Sequence, residues 1–148
     1  MNSEMIVSPV AAPLHPDDAI ADALESLSRQ GVATLPVVDG DCRFIGAFGL
    51  REIIGMLLPR AALLETGLDL SFIGDSLAQL GDRLGRLAGD SVGAHMSPHR
   101  TIPIRTALVE TLLLLYRGDS WLPVVDDAGK LVGVVTAADA LSRISDAV

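Results

Sequence analysis

The residues best placed for chemistry in this 148-residue chain are a hydroxyl and a carboxylate three positions apart, in the run Thr136-Ala137-Ala138-Asp139. A carboxylate accepts two hydrogen bonds from a cis-diol. A hydroxyl at a helix start joins the backbone N–H groups that favour an anion there. The same spacing also fits a capping box, with Asp in place of Glu, in which the two side chains satisfy free N–H groups and no ligand is needed. A second junction reads Gly49-Leu50-Arg51-Glu52. Its hydroxyl is gone and its acid is one methylene longer. Capping survives that change, because Gly can begin a helix and Glu suits the third position. Ligand contact does not survive it equally, so the two junctions are expected to differ.

Other reactive side chains do not assemble. His95 and His99 are four apart, but Pro98 between them opposes one continuous helix, and His15 is distant in sequence. Cys42 stands alone in a turn, so no internal disulfide forms and a reducing cytoplasm is the natural compartment. No Ser-His-Asp or Cys-His signature exists. No catalytic residue, no metal site and no enzyme activity are expected. Trp121 can stack on a purine, although a lone Trp before a strand more often packs in a core or dimer interface. Arg100, Arg105 and Arg143 are candidate partners for a phosphate. With a net charge of −8, such a site needs local positive focus.

These residues sit in a duplicated frame. Leu35-Pro36-Val37-Val38-Asp39 recurs as Leu122-Pro123-Val124-Val125-Asp126, 87 residues on, and Pro16, Leu27, Gly31 and Gly46 fall on Pro103, Leu114, Gly118 and Gly133. Two copies of one unit are implied, with a binding site between the copies or once in each. In the first copy, Ile20, Leu24 and Leu27 recur at helical spacing after Asp17 and Asp18, which can cap and charge the helix start. A strand over 35–38, a turn at Asp39-Gly40-Asp41, a strand over 44–48 and a helix over 50–58 follow. In the second copy, a lead over 101–104 precedes a helix that Thr106 can cap, strands over 121–125 and 131–135, and a helix over 137–144. Repeat 1 spans 1–59 and repeat 2 spans 91–148. Between them, 60–90 is a helical connecting segment with Leu77, Leu80, Leu84 and Leu87 on one face.

The bulk numbers exclude several partners. The acidic charge argues against nucleic acid, and no polybasic stretch exists to hold an anionic membrane. Charges interrupt every apolar run before the ~18 residues that a membrane span needs. The N-terminus lacks the features of a signal peptide. Apolar residues make up 49%, yet only three Phe, one Trp and one Tyr are aromatic, so the core must be Val, Leu, Ile and Ala.

The order helix, LPVVD, turn, then Phe44-Ile45-Gly46 or Leu131-Val132-Gly133-Val134-Val135-Thr136, then an acid three further on, resembles the cystathionine β-synthase (CBS) domain. That domain occurs in pairs. The second copy carries the likeness most fully, from Met96-Ser97-Pro98 to Gly133-Val134-Val135-Thr136-Ala137-Ala138-Asp139. The resemblance implies an α+β fold of two β-α-β-β-α repeats packed through their sheets as a pseudo-twofold pair. It implies a homodimer, and clefts that bind an adenosyl small molecule such as AMP, ADP, ATP or S-adenosylmethionine, with no cofactor required. Such modules sense a ligand and regulate a partner protein. In the family the Thr contacts phosphate, the Asp takes the ribose hydroxyls, and backbone comes from the opening strand and the segment before LPVV. That carries over to Thr136, Asp139, Ser97, Pro98, Ile102, Ser120 and Trp121. A weaker second site falls on Val10, Ala33, Thr34, Arg51 and Glu52. The alternative is a ligand-free dimeric scaffold that uses the pair and the middle helix as a docking surface.

Overall fold

The structure, a computed structural model, describes residues 6–59 and 76–147. The part of the expected connecting segment over 60–75 lies outside the described residues. The elements are α1 (Ile20–Gln30), β1 (Thr34–Val38), β2 (Phe44–Gly49), α2 (Leu50–Leu57), α3 (Leu77–Leu87), β3 (Ile102–Pro103), α4 (Leu108–Tyr116), β4 (Trp121–Val125), β5 (Leu131–Thr136) and α5 (Ala137–Asp146). Helix, hairpin, helix occurs twice, as the duplicated frame requires. Among the described residues no helix is long and apolar enough to cross a membrane.

Local chemistry explains the element ends, though not always by the residues expected. α1 buries Ile20, Ala23 and Leu27 at helical spacing, and Gly31 closes it at φ 66 by donating to the carbonyls of Leu27 and Ser28. Its start is not capped by Asp17 or Asp18. The Asp18 carboxylate accepts the His15 N–H instead. The N–H groups of Ile20 and Ala21 go to the carbonyls of Asp90 and Ala88, so distant backbone satisfies this helix start. Thr106 is likewise not a cap. α4 begins after Ala107, and the Thr106 hydroxyl donates to the Pro103 carbonyl at 2.7 Å. Ser76 caps α3 through the Gln79 N–H, and Leu80, Leu84 and Leu87 are half-buried while Leu77 is exposed.

The repeated Asp has one job in both hairpins. Asp39 Oδ1 accepts the N–H groups of Asp41 and Arg43. Asp126 Oδ1 accepts those of Ala128 and Lys130. Backbone donation from Arg43, then Asp41, holds the Asp39 carboxyl below the usual carboxylate range. The next shared position needs a left-handed backbone. Gly129 supplies it at φ 79, whereas its counterpart Cys42 adopts φ 64 with a side chain. The two turns also bond to each other, Phe44 N–H to the Gly129 carbonyl and Leu131 N–H to the Cys42 carbonyl.

The chain divides into two compact units, each drawing on both repeats. One takes the chain up to Pro13, Pro36–Gly46 and the chain from Pro98. Its sheet orders β3-β4-β5, with β3 parallel to β4 and β4 antiparallel to β5. Its core is Ile6, Ile102, Leu122, Val124, Val135 and Ala140, with Leu108, Leu112 and Leu115 packed against it. The other unit takes Leu14–Leu35 and the described part of Ala47–Ser97. It buries Ile20, Leu27, Phe48, Ile53 and Val92.

Each opening segment pairs with the other repeat's hairpin. In the first unit Ser8 and Val134 exchange backbone hydrogen bonds at 2.8 and 2.9 Å. In the second, Ser97 and Ala47 exchange them at 2.8 Å each way. Val134 and Ala47 are 87 apart, but Ser8 and Ser97 are 89 apart. The frame therefore holds from Pro16 onward, and the lead before it is displaced by two residues.

Candidate ligand site

The register of β4 and β5 sets Thr136 directly opposite Trp121. Opposed residues on antiparallel strands share a sheet face. Thr136 is the N-cap of α5, and its Oγ1 accepts the Asp139 N–H at 3.1 Å. The return half of a capping box is not made. Among the described residues no protein group pairs with the Asp139 carboxylate, and Asp139 is half-buried. One methylene shorter than Glu, this acid leaves both oxygens open to another donor.

The surroundings of that junction come from the loop before β3 and the loop before β4. Trp121 is 7% exposed. The His99 ring stacks on it with centroids 5.0 Å apart and planes 26° apart. His99 Nδ1 donates to the Arg100 carbonyl at 2.7 Å, and among the described residues Nε2 has no partner. Arg100 Nε lies 3.9 Å from an Asp119 carboxylate oxygen. Ser120 and Pro98 are exposed. The Ile102 side chain is in the core at 3% exposure and its strand pairs with β4 opposite Val124, so Ile102 can offer a ligand little beyond backbone. Arg105 pairs with Asp127 beside the hairpin turn, at the other end of β4 from Trp121.

The first-repeat junction is closed by protein atoms. Glu52 Oε1 accepts the Gly49 N–H at 2.9 Å. Glu52 Oε2 accepts the Ser97 hydroxyl at 3.1 Å and Arg51 Nη1 at 3.3 Å. The Glu52 side chain is 9% exposed while that of Arg51 is 88% exposed. The Leu50 N–H donates to the Ala33 carbonyl at 2.8 Å. Gly49 lies so close that a Cβ would sit 2.2 Å from that carbonyl oxygen and 2.6 Å from Thr34 Cα. The glycine is there for close approach, and a threonine at this position would break the junction rather than restore a hydroxyl to it.

Ser97 is thus placed with Glu52, not with Thr136 and Asp139 as the sequence grouping had it. The pairing of its segment with β2 is the reason. The residue at the matching place beside β5 is Ser8, which the sequence reading passed over. A signal existed: Ser8-Pro9 repeats Ser97-Pro98, but only if a two-residue shift is allowed. Val10 is half-buried and belongs to the unit of β5, whereas Ala33 and Thr34 belong to the other unit. An apolar groove of about 480 Å³, lined by Leu24, Leu27, Val32 and Leu50 among others, lies beside Ala33. Its walls offer packing surface and no charged group. Among the described residues no three His, Cys, Asp or Glu side chains gather to hold a metal.

The contrast between the two acids has a direct consequence for stability. Glu52→Gln is expected to destabilise the unliganded protein by roughly 1–2 kcal/mol, because a carboxylate with donors on both oxygens is lost. That is a fall in Tm of about 2–8 °C. Ligand affinity should stay within about threefold of wild type. A thermal melt that does not move would show that the Glu52 bonds carry no net stability.

Comparison with known proteins completes the picture. The model of the CBS domain matches residues 3–59 and 92–146. CBSX2 from Arabidopsis thaliana is 23% identical, with 99% of this chain and 95% of that chain covered and a TM-score of 0.76. A crystal structure of CBSX2 in complex with AMP is 22% identical over 99% and 97% of the two chains, at TM-score 0.73. A CBS domain-containing protein of unknown function from Bacillus anthracis is 16% identical over 100% and 95%, at TM-score 0.74. At such identities the likeness establishes the fold. A search of curated protein sequences finds no match.

Proposed function

Because the chain belongs to the CBS domain family and carries the domain twice, we propose that it is a regulatory module that binds an adenosine-containing ligand and relays its occupancy to a partner protein. CBS-pair proteins are generally regulatory modules, not enzymes. The observation that carries the reading is the half-buried Asp139 carboxylate, which has no partner among the described residues, one helical turn from Thr136, itself opposite Trp121 on the hairpin. A carboxylate with both oxygens open can accept a ligand's hydroxyls without first giving up a protein partner. The AMP held by CBSX2 is of the right chemistry. In this reading the carboxylate accepts the ribose cis-diol and Thr136 lies toward the phosphate.

A second reading, a dimeric scaffold, rests on exposed apolar faces. Val109, Leu113 and Tyr116 form a stripe along α4, with Leu141 exposed on α5. Val32, Leu50, Ile54 and Leu58 are exposed in the other unit. Clustered apolar exposure of this kind marks an interaction surface. A second copy of the chain is the occupant favoured for both faces, and a ligand-binding homodimer satisfies both readings. We place it in the cytoplasm, with no cofactor.

Native mass spectrometry of protein purified without added ligand separates the possibilities. The expected species is twice the 15.5 kDa chain mass and carries an adenosyl compound, or takes one up when AMP is added. A dimer that stays empty with AMP, ADP, ATP and S-adenosylmethionine at millimolar levels would leave only the scaffold. A monomer at all concentrations would remove the dimer.

A further inference from the structure

We infer that the Thr136–Asp139 site selects an adenosyl ligand bearing at most one phosphate group, and discriminates against the di- and triphosphate. The inference rests on the ligand-binding reading above and turns on where the positive charges of this unit are. Arg43 and Lys130 oppose each other across the paired turns. Lys130 precedes β5, six residues or ~20 Å of strand from Thr136, and Arg43 stands opposite it before β2. Arg105 is tied to Asp127 at that same far end. Arg117 ends α4, where the last-turn carbonyls and the helix dipole favour its charge. Arg143 is in the last turn of α5, about 10 Å of helix from Thr136, and has a partner of its own. Arg100 remains as the cation beside Trp121, and its guanidinium lies 3.9 Å from the Asp119 carboxylate.

The charges adjoining Trp121 and Thr136 are therefore Arg100, Asp119 and Asp139, one cation against two acids, in a chain of net charge −8. A nucleoside needs no cation. A single phosphate can share Arg100 with Asp119. Each further phosphate adds charge that no described side chain of this unit is placed to neutralise, in an acidic field that screening weakens but does not reverse. The selectivity comes from repulsion as much as attraction.

Isothermal titration of the full chain with adenosine, AMP, ADP and ATP, in magnesium-free buffer at fixed salt, tests this. The expected order is AMP tightest or equal to adenosine, with ATP at least tenfold weaker than AMP. Asp119→Asn, in the loop before β4, should release Arg100 and strengthen ATP binding several-fold while leaving adenosine unchanged. ATP binding as tightly as AMP would overturn the inference and leave the ligand-binding reading standing. An Asp119→Asn variant that shifts adenosine and ATP alike would overturn the role given to Arg100. Failure of all four compounds to bind would overturn the ligand-binding reading, and this inference with it.

Discussion

Asp139→Asn is expected to weaken adenosyl-ligand binding roughly ten- to a hundredfold, the loss of a charge-assisted contact worth ~1.5–3 kcal/mol. The unliganded Tm should hardly move. That pairing of outcomes follows from one asymmetry. The Asp139 carboxylate has no bond within the described protein to lose, while its backbone N–H still donates to Thr136 Oγ1 whatever the side chain is. The stabilisation given by saturating ligand should fall, because binding shifts stability by mass action. Glu52→Gln reverses the pattern, with stability lost and binding kept. Melts with and without AMP, run on both variants, read the two effects side by side. A large drop in the unliganded Tm of Asp139→Asn with an intact ligand response would make Asp139 a helix cap and nothing more.

Gly133→Val is expected to cost roughly 2–5 kcal/mol of stability, a fall in Tm on the order of ten degrees. The glycine lies beneath the opening segment. A Cβ there would stand 2.4 Å from the Ser8 carbonyl oxygen and 2.7 Å from Val7 Cγ1. The opening segment must lift away, and with it go the Ser8–Val134 bonds and Ile6, which is 2% exposed in the core. Hydrogen exchange should then quicken at the Ser8 and Val134 amides. Gly40→Ala is the control: nothing lies within 4 Å of its Cβ position, and the second repeat holds Asp127 at that place. A Gly133→Val protein that melts with wild type would mean that the opening segment contributes little.

Much of this architecture was legible in the chain itself. LPVVD and its 87-residue recurrence located both hairpins, and Asp39 and Asp126 proved to bond their turns identically. Helix ends at Gly31 and before Pro59 followed from local backbone preference. The failures share a cause. Caps expected from Asp18 and Thr106 were replaced by carbonyls of Asp90 and Ala88 at one helix and by an unassisted start at the other. Partners so far away in sequence leave no periodic trace. The same holds for the opening segments, where Ser8 and Ser97 are fixed by single bridges rather than by alternating strands. So Thr136, Trp121 and Asp139 were found together, because one hairpin and one helix turn hold them. Ser97 is grouped by sequence with the second repeat, yet its hydroxyl meets Glu52, because only a long-range pairing decides that.

The bridge between Ser8 and Val134 also says something about birth order. On a ribosome the Ser8 segment emerges before β5, and its place beside Val134 does not exist until 126 further residues have been made. At roughly 5–20 residues per second that is a wait on the order of ten seconds. Throughout it Ile6 and Val7 travel uncovered, although Ile6 is destined for burial. A nascent chain of this kind exposes an apolar segment at the time when aggregation and chaperone capture compete with folding. β5 acts as the clasp, so products stalled before it should be cleared rather than accumulate.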